Sequence, residues 1–334
     1  MRILVSGASG FVGAMLTPRL IADGHQVRAL ARDPERAYRA LASQLLRDAR
    51  GDTAAADTAD VLELDVVRGD VLTGAGLPRA LEGVEVAYYL IHSMERARRG
   101  EGRVRQEPLG DRERRAAEHF ASAARAAGVR RIVYLGGLLP RDWPPTRHLA
   151  SRRKVEEVML AATPESLALR ASIVIAARSR SFRLLVRLVE RLPWLTLPPW
   201  RRFRTQPIDG RDLIAMLARA AETRLDQRVI DVAGPDVLSY EQMLEHIAES
   251  MLVRRPALRL RVPGTGLGAR VAAAIVREDP ELTVSLMEAL RGDLLPSQPA
   301  EQTAALFGVQ LHSFDAAVEH ALREWEAVEP LAAR

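Results

Sequence analysis

The 334-residue chain is 48% hydrophobic, enough to core one large α/β domain or two ordinary ones. It has no cysteine, which excludes disulfides, thiolate nucleophiles and cysteine-ligated zinc and suits a cytoplasmic protein. Its 48 basic and 43 acidic side chains leave a net charge of only +5, and basic clusters such as "RARRGEGRVR" (96–105) and "RRFR" (201–204) lack interleaved aromatics, so the composition favours a small-molecule partner over nucleic acid.

Residues 2–10, "RILVSGASG", read as a short buried strand running into glycines, and "FVGAMLTPRLIADG" shows helical spacing closed by Gly24. The opening lacks the regions of a signal peptide, and no apolar run approaches the roughly 18–20 residues of a membrane span, so neither export nor a span is expected. "HQVRALAR" predicts a second strand. Residues 39–60, "RALASQLLRDARGDTAAADTAD", predict a helix followed by a low-complexity loop, expected to be mobile, inserted before the third strand. Apolar runs at "VLELDVV", "VEVAYYLI", "RRIVYLGG", "SLALRASIVI" and "RVIDVAG" predict further strands, most of them separated by helix-length segments such as 111–128. Strands alternating with helices specify an α/β fold: a doubly wound parallel sheet of Rossmann type, covered on both faces.

From about residue 175 the pattern loosens into "RLPWLTLPPWRRFRTQPI" and a helical tail rich in Ala, Leu and Glu. The expected division is a dinucleotide-binding domain over 1–175, its sheet completed by a strand near 228–233, and a smaller, mostly helical substrate lobe over 176–334, packed on the carboxyl edge of the sheet without a clean linker. The helix "SFRLLVRLVERLPW" (181–194) has an apolar face suited to lidding an apolar substrate or to resting on a membrane, the lid being preferred.

Gly7, Gly10 and Gly13 form G-x-x-G-x-x-G between the first strand and the first helix. The first glycine permits a tight turn, the second lets backbone amides approach a pyrophosphate, and the third lets helix and strand pack closely. Ser9, Phe11 and Val12 join them as candidate cofactor-binding residues. Arg32 lies about twenty residues further on, at the end of the second strand, where a guanidinium selects a 2′-phosphate and hence NADP(H). Asp33 next to it is the competing partner for unphosphorylated ribose hydroxyls.

In order and spacing, "VSGASGFVG", "VRALARDPER", "VVRGDVLT", "VEVAYYLIHSM" and "RRIVYLGGL" resemble the short-chain dehydrogenases/reductases over roughly residues 1–235. The glycine pattern is similar to the extended members. The remainder resembles the atypical branch, which includes NmrA-like proteins and a relative of an accessory subunit of respiratory complex I. This resemblance implies that Asp70 and Val71 touch the adenine and that Leu90 to Ser93 line the nicotinamide ribose.

Typical members use a tyrosine as general acid, a lysine four residues later, and a serine or threonine after the fifth strand. Here "HLASRRKVE" matches the usual helix with Ser151 and Glu156 in place and Arg170 at the expected downstream distance, but His148 stands for the tyrosine and Arg152 for the lysine. Lys154, the only lysine, falls two positions late, and Gly136 and Gly137 replace the hydroxyl residue. Two readings stay open. In one, His148 is kept neutral by Arg152 and exchanges a proton with substrate while Arg152 grips the ribose; in the other, His148 only begins a helix. His92 and Ser93 are a second candidate pair, and Tyr88 and Tyr89 read as core.

These residues point to an NADP(H)-dependent oxidoreductase acting on a small, apolar carbonyl, enone or quinone. The alternatives are a non-catalytic NADP(H)-binding sensor or assembly protein, and a redox-neutral isomerase or cyclase. The expected partners are cofactor and substrate, with no metal and with monomer and homodimer both open.

Overall fold

The structure is a computed structural model and describes residues 1–48, 64–91, 109–192, 194–197, 199–259, 292–329 and 331. The expected loop after residue 48 falls in 49–63, outside the described residues.

Strand β1 (Arg2–Ser6) is buried from Ile3 to Ser6, the continuous apolar run of a strand covered on both faces. It pairs in parallel with β2 (Gln26–Ala31) on one side and β4 (Val86–Tyr89) on the other. β2 pairs in parallel with β3 (Asp65–Arg68), and β4 with β5 (Arg131–Gly137). With β6 (Leu167–Ala171) and a later strand, Val229–Val232, the seven-stranded sheet has the order β3-β2-β1-β4-β5-β6 and then that last strand. This is the Rossmann-type doubly wound parallel sheet. The crossovers reverse direction between β1 and β4, so a crevice opens beyond their carboxyl ends, where open α/β sheets hold ligands.

The helices that serve this sheet are α1 (Phe11–Ala22), α2 (Pro34–Asp48), α3 (Leu77–Leu81), α4 (Leu109–Ala126) and α5 (Arg147–Ala162). Later in the chain come α6 (Arg180–Arg191), α7 (Gly210–Arg219), α8 (Tyr240–Ser250), α9 (Ala300–Leu306) and α10 (Phe314–Glu326).

The chain divides into two compact units, Met1–Gly136 with Ala150–Leu169 and Ile214–Ile230, and Gly137–Leu149 with Arg170–Leu213 and Asp231–Arg334. The first has a core of Leu4, Tyr89, Phe120, Tyr134, Val155 and Met159, with the Tyr89 and Phe120 rings edge-to-face at 5.1 Å. Tyr88 and Tyr89 are core residues, as expected. In the second unit Phe182, Val186 and Val189 of α6 pack with Met243 of α8 and Val318, Leu322 and Trp325 of α10. The expectation of a lid or membrane-resting helix is thereby corrected, because the apolar face of α6 is consumed by this core. Its arginines complete the packing: Arg183 and Arg187 lie over the Trp325 ring at 4.2 and 5.0 Å, and Arg187 pairs with Glu190 and Glu329. Among the described residues no helix is long and apolar enough to cross a membrane.

Candidate functional site

The β1–α1 turn is shaped by its glycines. Gly7 has φ +78°, and a Cβ there would lie 3.1 Å from the backbone C and O of Leu90, just past β4. Only glycine fits both the conformation and that approach. A Cβ on Gly13 would lie 2.4 Å from the Gly7 carbonyl oxygen, so helix and turn could not pack at this spacing. Gly10 has an ordinary φ of −74° and is the residue before α1; its own amide donates to the Gly7 carbonyl at 2.9 Å. No side chain caps α1 and no acidic residue lies in its first turn, so its free amides and positive dipole end are available to an anion. The turn carrying Ser9, Phe11 and Val12 fits a dinucleotide pyrophosphate: Ser9 and Gly10 are exposed, Phe11 and Val12 half-buried.

Arg32 and Asp33 are both exposed and follow β2 directly. They do different work. Asp33 accepts from the Arg36 amide at 3.1 Å and so caps α2, ahead of a proline at the first helical position. Arg32 has no carboxylate partner among the described residues. Arg68, last residue of β3, donates from Nε to the Arg32 carbonyl at 3.5 Å; the sequence reading did not single it out. A strand-end arginine in "VVRGD" was the available signal.

Asp70 and Val71 follow β3. Asp70 accepts from the Leu72 amide at 2.9 Å, shaping the turn, while Val71 packs its side chain into the core and faces His119 through its carbonyl. Leu90 donates its amide to the Ser6 carbonyl at 3.3 Å, which extends the β1–β4 ladder to the crevice. Gly7, Ser9, Gly10, Phe11, Val12, Gly13, Arg32, Asp70, Val71 and Leu90 are thus gathered at the carboxyl ends of β1 to β4 in the first unit. His92 and Ser93 lie outside the described residues.

Arg152 is half-buried on α5, above a polar cluster that sequence reasoning missed. The Tyr134 hydroxyl, from β5, donates to the Arg152 carbonyl at 3.3 Å, and the Arg152 guanidinium faces the same hydroxyl. Burial pushes the Tyr134 phenol up to about 12, with Arg152 opposing the rise and Glu156 and Glu113 adding to it. Ser151 donates to the buried Glu113, joining α5 to α4. Gly136 leaves room for this arrangement, since a Cβ there would lie 3.0 Å from the Tyr134 ring. His148 is the second residue of α5 and is half-buried. His148 belongs to the second unit and Arg152 to the first. Lys154 is exposed. A concavity of about 340 Å³ lined by Arg125, Gly128, Arg130 and Glu165 opens at the amino ends of β5 and β6, the opposite edge from the glycine turn.

A parallel sheet with this turn at its switch point defines a dinucleotide-binding protein of the Rossmann type. The chain belongs to the NAD(P)H-binding family, whose model matches residues 7–174. A ceramide reductase from Caulobacter vibrioides is 33% identical over 171 residues, covering 50% of this chain and 44% of the relative. The chain therefore matches less than half the length of that relative. Among solved structures, an NADPH-dependent quinone oxidoreductase from Escherichia coli, complexed with NADPH, superposes with a TM-score of 0.69 at 18% identity, covering 96% of this chain and 99% of the other. A nucleoside-diphosphate-sugar epimerase from Staphylococcus aureus gives 0.70 at 13% identity, covering 96% and 100%. These likenesses establish the fold, and the resemblance to atypical short-chain dehydrogenases/reductases is borne out at that level.

Proposed function

We propose that the protein is an NADP(H)-dependent oxidoreductase reducing a small, apolar carbonyl, enone or quinone, with the substrate lobe drawn from residues 176–334 apart from Ile214–Ile230, which belong to the first unit. The observation that carries the cofactor choice is the division of labour after β2: Asp33 is engaged as the cap of α2, while Arg32 is exposed and has no carboxylate partner among the described residues. A guanidinium in that state suits a 2′-phosphate better than a bare ribose diol. The E. coli NADPH-dependent quinone oxidoreductase shares the fold, and the ceramide reductase supports reductase chemistry on an apolar substrate.

When bound, the cofactor supplies the hydride. The chain's own residues would position it: the α1 amides and the three glycines would hold the pyrophosphate, Asp70 and Val71 would touch the adenine, Leu90 would line the nicotinamide ribose, and Arg152 would hold that ribose. Gly136 and Gly137 leave no hydroxyl to polarise a carbonyl, so an acceptor that takes hydride without concerted protonation demands least of the site. His148, or His92, delivers a proton where one is needed. NADPH oxidation followed by absorbance against a panel of quinones, enones and ketones tests this reading, and the absence of turnover with every acceptor would sink it.

The loss of all three usual catalytic groups favours a second reading, a non-catalytic NADP(H)-binding protein. Cofactor that copurifies and stays unreacted in the presence of the panel would select it.

A further inference from the structure

We infer that Arg68 is a second ligand for the 2′-phosphate and that the pair Arg32–Arg68, rather than Arg32 alone, sets cofactor specificity. The inference rests on the NADP(H) reading above and deepens it.

The β2–β3 register places Arg68 opposite Ala31, the residue just before Arg32, so the two arginines emerge from neighbouring strands at the same edge of the sheet. The Nε of Arg68 donates to the Arg32 carbonyl at 3.5 Å, which draws its guanidinium towards the Arg32 position. Both side chains are exposed, and among the described residues neither has a carboxylate partner. Another arginine of the same strand pair is neutralised: Arg28 of β2 pairs with Asp65 of β3 at 2.7 Å. Asp33, next to Arg32 in the chain, accepts from the Arg36 amide through one of its oxygens. A doubly charged phosphate held at this edge can accept charge-assisted hydrogen bonds from both guanidiniums. Unphosphorylated NADH has nothing to offer the second of them.

The test uses the full chain and compares NADPH with NADH, and adenosine 2′,5′-bisphosphate with ADP, by titration calorimetry. Wild type is expected to prefer the 2′-phosphorylated member of each pair. Arg68→Ala is expected to weaken NADPH and the bisphosphate by roughly 10-fold while leaving NADH and ADP within about twofold, and Arg68→Glu to abolish the preference. Arg68 is exposed and its recorded bond is to one backbone carbonyl, so both variants should fold, which circular dichroism checks. If wild type prefers NADPH but Arg68→Ala leaves the preference intact, the role given to Arg68 is wrong and the NADP(H) reading stands on Arg32. If wild type does not discriminate, the NADP(H) reading and the inference fall together.

Discussion

The Tyr134 hydroxyl donates to the Arg152 carbonyl at 3.3 Å while the Arg152 guanidinium faces the same oxygen, so β5 and α5 are joined at the residue that stands in place of the family's lysine. The phenol from the strand thus anchors the helix backbone at Arg152. Removing that hydroxyl deletes this link between β5 and α5. Tyr134→Phe should therefore cost about 1–3 kcal/mol in a denaturant titration, despite the near-identical shape of the ring. An unchanged midpoint would show that the contact contributes nothing.

His148 and Arg152 divide the proposed work, and their variants should separate. His148→Phe should retain NADPH binding and lower turnover by roughly 10²–10⁴-fold, with loss of the pH-rate limb near neutrality. Arg152→Ala should instead raise the NADPH Kd. Equal turnover in wild type and His148→Phe would make the histidine a helix-start residue and leave proton delivery to His92 or water.

The glycines of the turn should also part company. Gly10 has an ordinary φ, and a Cβ there would meet the Gly7 carbonyl oxygen only at 3.1 Å, so Gly10→Val should fold yet fail to bind cofactor. At Gly13 a Cβ would meet the same oxygen at 2.4 Å and the Ala8 Cα at 2.7 Å, so Gly13→Ala should destabilise the fold itself by about 1–3 kcal/mol. Thermal melts with and without NADPH distinguish the two, and a Gly10→Val protein that binds NADPH normally would reduce the motif to a turn.

A pH dependence follows from His320 on α10. Burial, and after it Arg211, holds its pKa below the ordinary histidine value of 6.5; Arg323 and His312 act in the same direction and Asp209 opposes them. The unfolded chain then takes up the proton at higher pH than the folded one. The stability this group contributes is complete above pH 6.5 and is lost as the pH falls below it. His320→Gln should flatten part of the decline in Tm between about pH 7 and pH 5. A parallel decline in both proteins would assign the loss to other groups.

The glycine turn was legible because its chemistry is confined to seven consecutive residues, Gly7 to Gly13, that follow a strand and open a helix. The strand-end position of Arg32 and the placing of His148 and Arg152 on one helix were legible for the same reason, since spacing along one strand or helix turns directly into position. The sheet followed from apolar runs alternating with helical segments, a local property of each run.

What the residues face was decided only by the fold. "RRIVYLGG" reads as a strand opening on two arginines, yet Arg131 is buried and donates to the carbonyls of Ala220, Ala221 and Thr223, in the segment after α7. Tyr134 reads as core and is core, but its hydroxyl meets Arg152; Ser151 reads as a motif serine and is a clasp to Glu113. The register of β2 and β3 sets Arg68 opposite Ala31, the residue before Arg32, and the apolar face of α6 finds its partners on α8 and α10. Local pattern determines which element forms and which face is apolar, because backbone geometry repeats every two or 3.6 residues. The partner of a polar or charged side chain depends on strand order, register and helix packing across tens of residues, and those are properties of the assembled sheet and core rather than of any stretch within them.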